Sequence, residues 1–139
     1  MRSDHDTQHG TAVCINKAGV FIIGASGSGK SSLALQLLAL GAELVADDQV
    51  ALTRVDGAVT MSKPSGLPDK IEARGVGLLD APTRKSAQLA LIVDLDVVET
   101  ARLPEPSVMT CLGLPITLWR KVDAAYFPAA ILLYLRSQA

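Results

Sequence analysis

Two short apolar runs, TAVCI at 11–15 and VFIIG at 20–24, flank the connection NKAG, in which Asn and Gly are placed for a turn. Runs of β-favouring residues around such a connection predict a hairpin. After Lys30 the period lengthens. In SSLALQLLALG, Leu33, Leu37 and Leu40 fall on one helical face with Ala34 and Leu38 beside them. Gly41 follows where a left-handed C-terminal cap belongs, so the pattern predicts a helix from about 29 to 40.

The next apolar segment, ELVAD at 43–47, reads as a buried strand, and VALTR (50–54) and VTMS (59–62) flank the turn VDGA as a second hairpin. From 63 to 85, turn formers (Pro64, Gly66, Pro68, Gly75, Gly77, Pro82) are mixed with cations (Lys63, Lys70, Arg74, Arg84, Lys85). That mixture predicts mobile, phosphate-facing loops. LALIVDLD (89–96) is an unbroken apolar run of strand length, expected at the centre of a sheet. ARLPEPSV (101–108) is expected to be loop because of its two prolines, PITLW a short strand, and PAAILLYLRSQ from Pro128 a helix with an Arg in its last turn. Hairpins outnumber strand-helix-strand units, and no internal repeat is present. The fold class is therefore α/β with a mixed sheet containing hairpins.

Composition adds bounds to this outline. At 139 residues, 49% hydrophobic and 19% charged, with mean hydropathy +0.32, the chain suits a single compact domain spanning 1–139. Thirteen basic and fourteen acidic side chains give a net charge of −1, without the excess needed to neutralise many nucleic-acid phosphates. Cys14 and Cys111 have neither CxxC spacing nor disulfide-scaffold density and read as reduced, structural thiols. The polar start MRSDHDTQHG lacks a signal-peptide core, and the longest apolar run, AAILLYL at 129–135, is far short of a span. A cytosolic protein without nucleic-acid or membrane partners is expected.

The chemistry begins at GASGSGKSS, comprising Gly24, Ala25, Ser26, Gly27, Ser28, Gly29, Lys30, Ser31 and Ser32. It satisfies G-x-x-x-x-G-K-[ST] between a predicted strand and a predicted helix. In a P-loop, glycines let backbone N–H groups converge on phosphate oxygens, and the helix N-terminus adds positive potential. Lys30 would bridge the outer phosphates and the Ser31 hydroxyl would ligate Mg²⁺.

Phosphoryl transfer also needs carboxylates, and two sites offer them. A Walker B reading selects Asp94 in LIVDLD, which also carries Asp96. The adjacent Asp47 and Asp48 at a strand end would project to opposite sides, so one could hold the metal's water shell and the other face an acceptor hydroxyl as general base. The only Asn-Lys pair, Asn16-Lys17, precedes the loop and is not N-K-x-D, which argues against a GTP switch. Two alternatives stay open: a small-metabolite P-loop kinase with the basic segment as a lid, and a non-catalytic nucleotide-sensing module.

Taken together, these residues resemble the C-terminal catalytic domain of HPr kinase/phosphorylase, a family that phosphorylates a serine of the phosphocarrier HPr. His9-Gly10, GASGSGKS, LVADDQV and IEARGVGLLD correspond in order and spacing to the family's motifs. The resemblance implies an HPr kinase/PEP carboxykinase-like fold, ATP or pyrophosphate as donor, Mg²⁺, an HPr-like partner, a regulatory role, and a homo-oligomer that is hexameric in the family. It implies Asp48 as the base, acting as an acid in the reverse phosphorolysis, with Lys30 on the β-phosphate. Ser31, Asp47 and Glu72 would serve the metal, Arg74 would shape the catalytic loop, and His9 and Arg102 would be active-site residues. It also moves the working acids from Asp94 to the Asp47-Asp48 pair. The chain departs from long forms by having eight residues before His9 and by lacking the Pro-x-x-x-Gly-Arg-Asn loop, where LPITLWRKVDAAYFPA keeps Arg120 and Lys121. This is the pattern of short forms such as those of alphaproteobacteria.

Overall fold

In the computed structural model, which describes residues 4–138, the first two apolar runs pair as expected. Strand β1 (His5–His9) is separated by Gly10 from β2 (Thr11–Ile15), which returns as β3 (Ala18–Ile23). Helix α1 (Lys30–Ala39) follows the glycine-rich loop, and β4 (Glu43–Ala46), β5 (Gln49–Val55) and β6 (Ala58–Ser62) come next. Then come β7 (Lys70–Ala73), β8 (Gly77–Asp80), β9 (Ser86–Val98), β10 (Ser107–Cys111), β11 (Leu114–Lys121) and α2 (Phe127–Gln138).

The main sheet runs β1-β5-β6-β9-β3-β2-β4, and β10-β11 joins it through β11 against β9. β3 and β11 lie parallel to β9, and the other pairs are antiparallel, so the sheet is mixed. β9 is central because both its faces are buried: Leu91 and Val93 meet the helices, and Ile92 looks the other way. Burial on both faces explains why its sequence is continuous rather than alternating. On the helix side, Val20, Ile22, Leu91 and Val93 pack against Leu33, Leu37, Ile131 and Leu135. On the other side the sheet curls, bringing Leu52, Val59 and Met61 of β5 and β6 over Phe21 and Ile92.

α1 stops where its sequence predicts. Gly41 N–H donates to the Leu38 carbonyl and Ala42 N–H to the Leu37 carbonyl, both at 3.1 Å, with Gly41 at φ +108°. These are the paired bonds of a Schellman cap, and buried Ala42 and Leu37 supply its apolar contact. α2 rests on β11 through Trp119, whose ring lies 5.0 Å from that of Tyr134.

Three segments differ from the sequence expectation. The 63–85 segment is not all loop, because β7 and β8 form a two-stranded sheet with Arg74, Gly75 and Val76 at its tip. β10 begins at Ser107, inside the expected 101–108 loop, and returns through Leu112 (φ +48°) and Gly113 (φ +82°). Two successive positive φ angles define the tight hairpin turn, but Leu is not a residue that advertises one. β1 has no apolar alternation to predict it. All five of its residues are exposed, and backbone pairing with β5 holds it.

Candidate active site

The glycine-rich loop leaves β3 at Ile23 and enters α1 at Lys30. A Cβ on Gly24 would lie 2.5 Å from Ser28 Oγ, so only glycine lets the loop close this tightly. Gly29, at φ +104°, precedes the helix without a side-chain cap, and the first bond back along the chain is Leu33 N–H to the Gly29 carbonyl at 2.9 Å. The first-turn amides are therefore available to an anion. Lys30 is only 8% exposed, and its Nζ donates to the carbonyls of Gly24 (2.7 Å) and Ala25 (3.0 Å). A buried ammonium held only by carbonyl dipoles is poorly compensated, and a phosphate would supply the missing charge. Ser28 Oγ is likewise buried with no hydrogen-bond partner.

Asp47 and Asp48 stand across from this loop and point to different neighbours. Asp47 Oδ1 accepts from Thr11 Oγ1 at 2.9 Å and from Ser31 Oγ at 3.5 Å, tying strand end to glycine-rich loop. Thr11 is 1% exposed and was not among the residues expected at the site; its signal was a lone hydroxyl opening an otherwise apolar strand. Asp48 sits at φ +75° while Gln49 N–H donates to the Asp47 carbonyl at 3.0 Å. A bond across three residues with positive φ at the centre is the rare, strained form of γ-turn. It turns the Asp48 carboxylate outward, where Oδ1 lies 3.4 Å from His9 Nδ1, and both side chains are more than half exposed.

The rim is the β7–β8 hairpin. Along β7, Ile71 and Ala73 turn into the protein, while Lys70, Glu72 and Arg74 share the opposite alternation. These three line the same cleft as His9, Lys30 and Ser31, and the cleft encloses about 850 Å³. Lys70 Nζ pairs with Asp80 Oδ1 at 2.7 Å across the hairpin. Ser31 and Asp47 would offer a magnesium ion one hydroxyl and one carboxylate. That donor set fits an ion which takes one or two carboxylates and fills its shell with phosphate and water oxygens. Among the described residues no three His, Cys, Asp or Glu side chains are arranged to hold a metal ion by themselves.

Asp94 and Asp96 do something else. Both Asp96 carboxylate oxygens accept from Ala25 N–H, at 3.0 and 3.1 Å, and Asp94 Oδ1 accepts from Asp96 N–H at 2.9 Å. They brace the start of the loop from the neighbouring strand. Arg102 is not gathered with the rest. β9 continues to Val98, carrying the chain past the loop, and Arg102 is exposed outside the residues that line the cleft.

Residues 2–105 match the family model described as the HPr Serine kinase C-terminal domain. The chain is similar to an HPr kinase/phosphorylase of Verminephrobacter eiseniae, 41% identical over 128 residues, covering 82% of this chain and 40% of the relative. It is also similar to one of Bordetella pertussis, 43% identical over 124 residues, covering 79% and 40%. The chain thus spans about 40% of the length of these relatives. Among solved structures it resembles the Hpr(Ser) kinase/phosphatase from Coxiella burnetii, with a TM-score of 0.77 at 24% identity, covering 96% of this chain and 95% of that one. At that identity the likeness establishes the fold.

Proposed function

Because this chain belongs to the HPr serine kinase C-terminal domain family, we propose that it transfers a phosphoryl group from ATP to a serine hydroxyl of an HPr-like phosphocarrier, in a regulatory role. The observation that carries the reading is the divergence of two adjacent carboxylates in one cleft: Asp47 reaches back to Ser31 of the phosphate loop, and Asp48 turns out toward His9. One acid thereby serves the donor side and the other the acceptor side.

In the proposed reaction the first-turn amides and Lys30 hold the donor's outer phosphates. Ser31 and Asp47 would hold Mg²⁺, with Glu72 facing the same cleft; bound there, it would neutralise phosphate charge. Asp48 accepts the serine proton as the hydroxyl oxygen bonds to the terminal phosphorus and the bridging P–O bond to the leaving phosphate breaks. His9 orients Asp48, and Arg74 at the hairpin tip meets the charge on the phosphoryl group being moved. Positioning and charge neutralisation are the main demands of such a transfer, and these groups meet them. In phosphorolysis, inorganic phosphate attacks the phosphoserine phosphorus to give pyrophosphate, the bond to the serine oxygen breaks, and Asp48 returns the proton to that oxygen.

The chain would act as one domain in the cytoplasm; among the described residues no helix is long and apolar enough to cross a membrane. Copies of the chain would assemble into an oligomer, for which exposed Leu103, Tyr126 and Leu133 offer apolar surface.

Purified protein mixed with an HPr-like carrier, ATP and Mg²⁺ should give phosphoserine on the carrier by mass spectrometry. Equal activity of wild type and Asp48→Asn would sink the mechanism. Transfer to a sugar or nucleoside with none to the carrier would favour a metabolite kinase, and ATP binding without any transfer would favour a sensing module.

A further inference from the structure

Asp96 lies outside the residues that line the cleft, yet both of its carboxylate oxygens are directed at one backbone group of the glycine-rich loop, the Ala25 N–H. The strands bring it there. β3 and β9 run parallel with Ile23 opposite Asp94, and two residues further along each segment Ala25 meets Asp96. β3 has ended by then, while β9 continues to Val98. On its other side β9 departs from regular pairing. The register with β11 passes from Asp94–Arg120 to Val98–Lys121, which leaves Leu95, Asp96 and Val97 opposite no residue of β11. Irregularities of this kind re-aim side chains next to active sites. Here the Asp96 N–H donates to Asp94 Oδ1 at 2.9 Å, which fixes the short stretch of chain that carries the Asp96 carboxylate.

The Gly24–Ala25 peptide has a second partner at its other end, where the Gly24 carbonyl accepts from Lys30 Nζ at 2.7 Å. The N–H and C=O of a trans peptide point in opposite directions, so Asp96 grips this unit from outside the loop and Lys30 from inside. An anion at the N–H end and a cation at the carbonyl end both align with the peptide dipole, and hydrogen bonds in such a chain strengthen one another. The arrangement also fixes the sense of the peptide. Gly24 has no Cβ to resist rotation of this unit. A flip would aim the carbonyl at the Asp96 carboxylate and the N–H at the Lys30 ammonium, and both pairings are repulsive. We propose that Asp96 is a positioning residue for Lys30: through one peptide unit it holds the Gly24 carbonyl toward the ammonium and keeps this long side chain inside the loop before the donor arrives. Ordering a lysine beforehand removes that entropic cost from the binding step. The inference rests on the phosphate-donor reading and deepens it, giving Asp96 a part in donor binding from outside the cleft.

A double-mutant cycle tests the route, because a role that is only structural would not depend on Lys30. By calorimetry, Asp96→Ala should bind magnesium ATP at least about fivefold more weakly than wild type, while the same substitution made in Lys30→Met should change affinity by less than about twofold. Asp96→Asn keeps the shape and one acceptor oxygen. It should give the same pattern with a smaller loss, and it carries the cycle if the alanine variant does not fold. A second measurement uses the free protein: acetic anhydride labelling read by mass spectrometry should modify Lys30 at least about threefold faster in the Asp96 variant than in wild type. Equal loss in the two backgrounds, no loss in the wild-type background, or unchanged Lys30 labelling overturns the inference while the phosphate-donor reading stands. Failure of the wild type to bind ATP overturns that reading, and the labelling then decides by itself whether Asp96 holds Lys30.

Discussion

His9 Nδ1 stands 3.4 Å from Asp48 Oδ1, a contact between the last residue of β1 and the turn that leads into β5. The pair is positioned by backbone: Gly10 N–H donates to the Asp48 carbonyl at 3.0 Å, and His9 lies opposite Gln49 in the β1–β5 register. If Asp48 is the general base, Asp48→Asn keeps the shape and removes the proton acceptor. Turnover should fall by about a hundredfold to ten-thousandfold, with ATP affinity changed no more than a few-fold. Single-turnover phosphorylation and calorimetry on the same variant separate the two; parallel loss of both would assign Asp48 to donor binding.

The turn that aims Asp48 predicts a trade between stability and activity. A non-glycine residue at φ +75° stores about 1–3 kcal/mol, and glycine recovers it at a conformational-entropy cost of about 0.5–1 kcal/mol. Asp48→Gly should therefore unfold at the same or higher urea concentration than wild type while losing transfer. A clear drop in the urea midpoint would mean that the Asp48 side chain stabilises the fold.

Lys30 predicts the same asymmetry on the donor side. Its buried ammonium meets only the Gly24 and Ala25 carbonyls, and the Ala25 carbonyl also accepts Ser28 N–H at 3.0 Å. Lys30→Met keeps the length and removes a charge that is expensive to bury. The melting temperature should hold or rise, while ATP binding weakens by at least about tenfold. Unchanged ATP affinity would take Lys30 out of the phosphate site.

Which of these relationships the sequence announces depends on how local they are. The hairpin of β2 and β3, α1 with its glycine cap, the central β9 and the glycine-rich loop between β3 and α1 are written in periodicity and spacing, because each is decided within about a dozen residues. Thr11 and Asp96 are not. Thr11 gains its role only when β2 carries it beside Asp47, and Asp96 only when β9 pairs with β3 and meets Ala25. Leu95 between Asp94 and Asp96 shows that the two acids share a strand face, but not which loop they face. β1 escapes for the opposite reason. All five of its residues are exposed and its partner β5 lies about forty residues on, so pairing with a distant strand and not an apolar pattern defines it.

Gly10 should be among the least replaceable residues for stability. A Cβ there would fall 2.4 Å from Phe21 Cε1 and 2.7 Å from the Ile22 carbonyl, and that carbonyl belongs to β3 and cannot yield as a side-chain tip could. Gly10→Ala should cost at least the upper end of the about 1–3 kcal/mol typical of overpacking, read from urea unfolding. It should also depress transfer by displacing His9, its immediate neighbour. A near-wild-type midpoint would show that β1 and β2 can part here without penalty.

Cys14 gives the fold a defined alkaline limit. Its thiol is fully buried and free, and burial is the main cause that pushes it from an ordinary 9.0 to about 11; Glu43 adds to the rise and Arg84 partly offsets it. Below pH 9 the thiol is protonated in both folded and unfolded chains, so this contribution is fully present. Between 9 and about 11 the unfolded chain releases the proton while the folded chain keeps it, and stability must fall as pH rises. The slope approaches about 1.4 kcal/mol per pH unit for one such group. Cys111 is also pushed up, by burial first and then by Asp6, and other groups titrate in this range, so the informative quantity is a difference. Urea unfolding of wild type and Cys14→Ala under reducing conditions, from pH 8 upward, should start with the variant less stable, because it loses a buried side chain. The gap should then narrow as pH rises through the window. Parallel curves would show that the Cys14 thiolate is tolerated in the folded core.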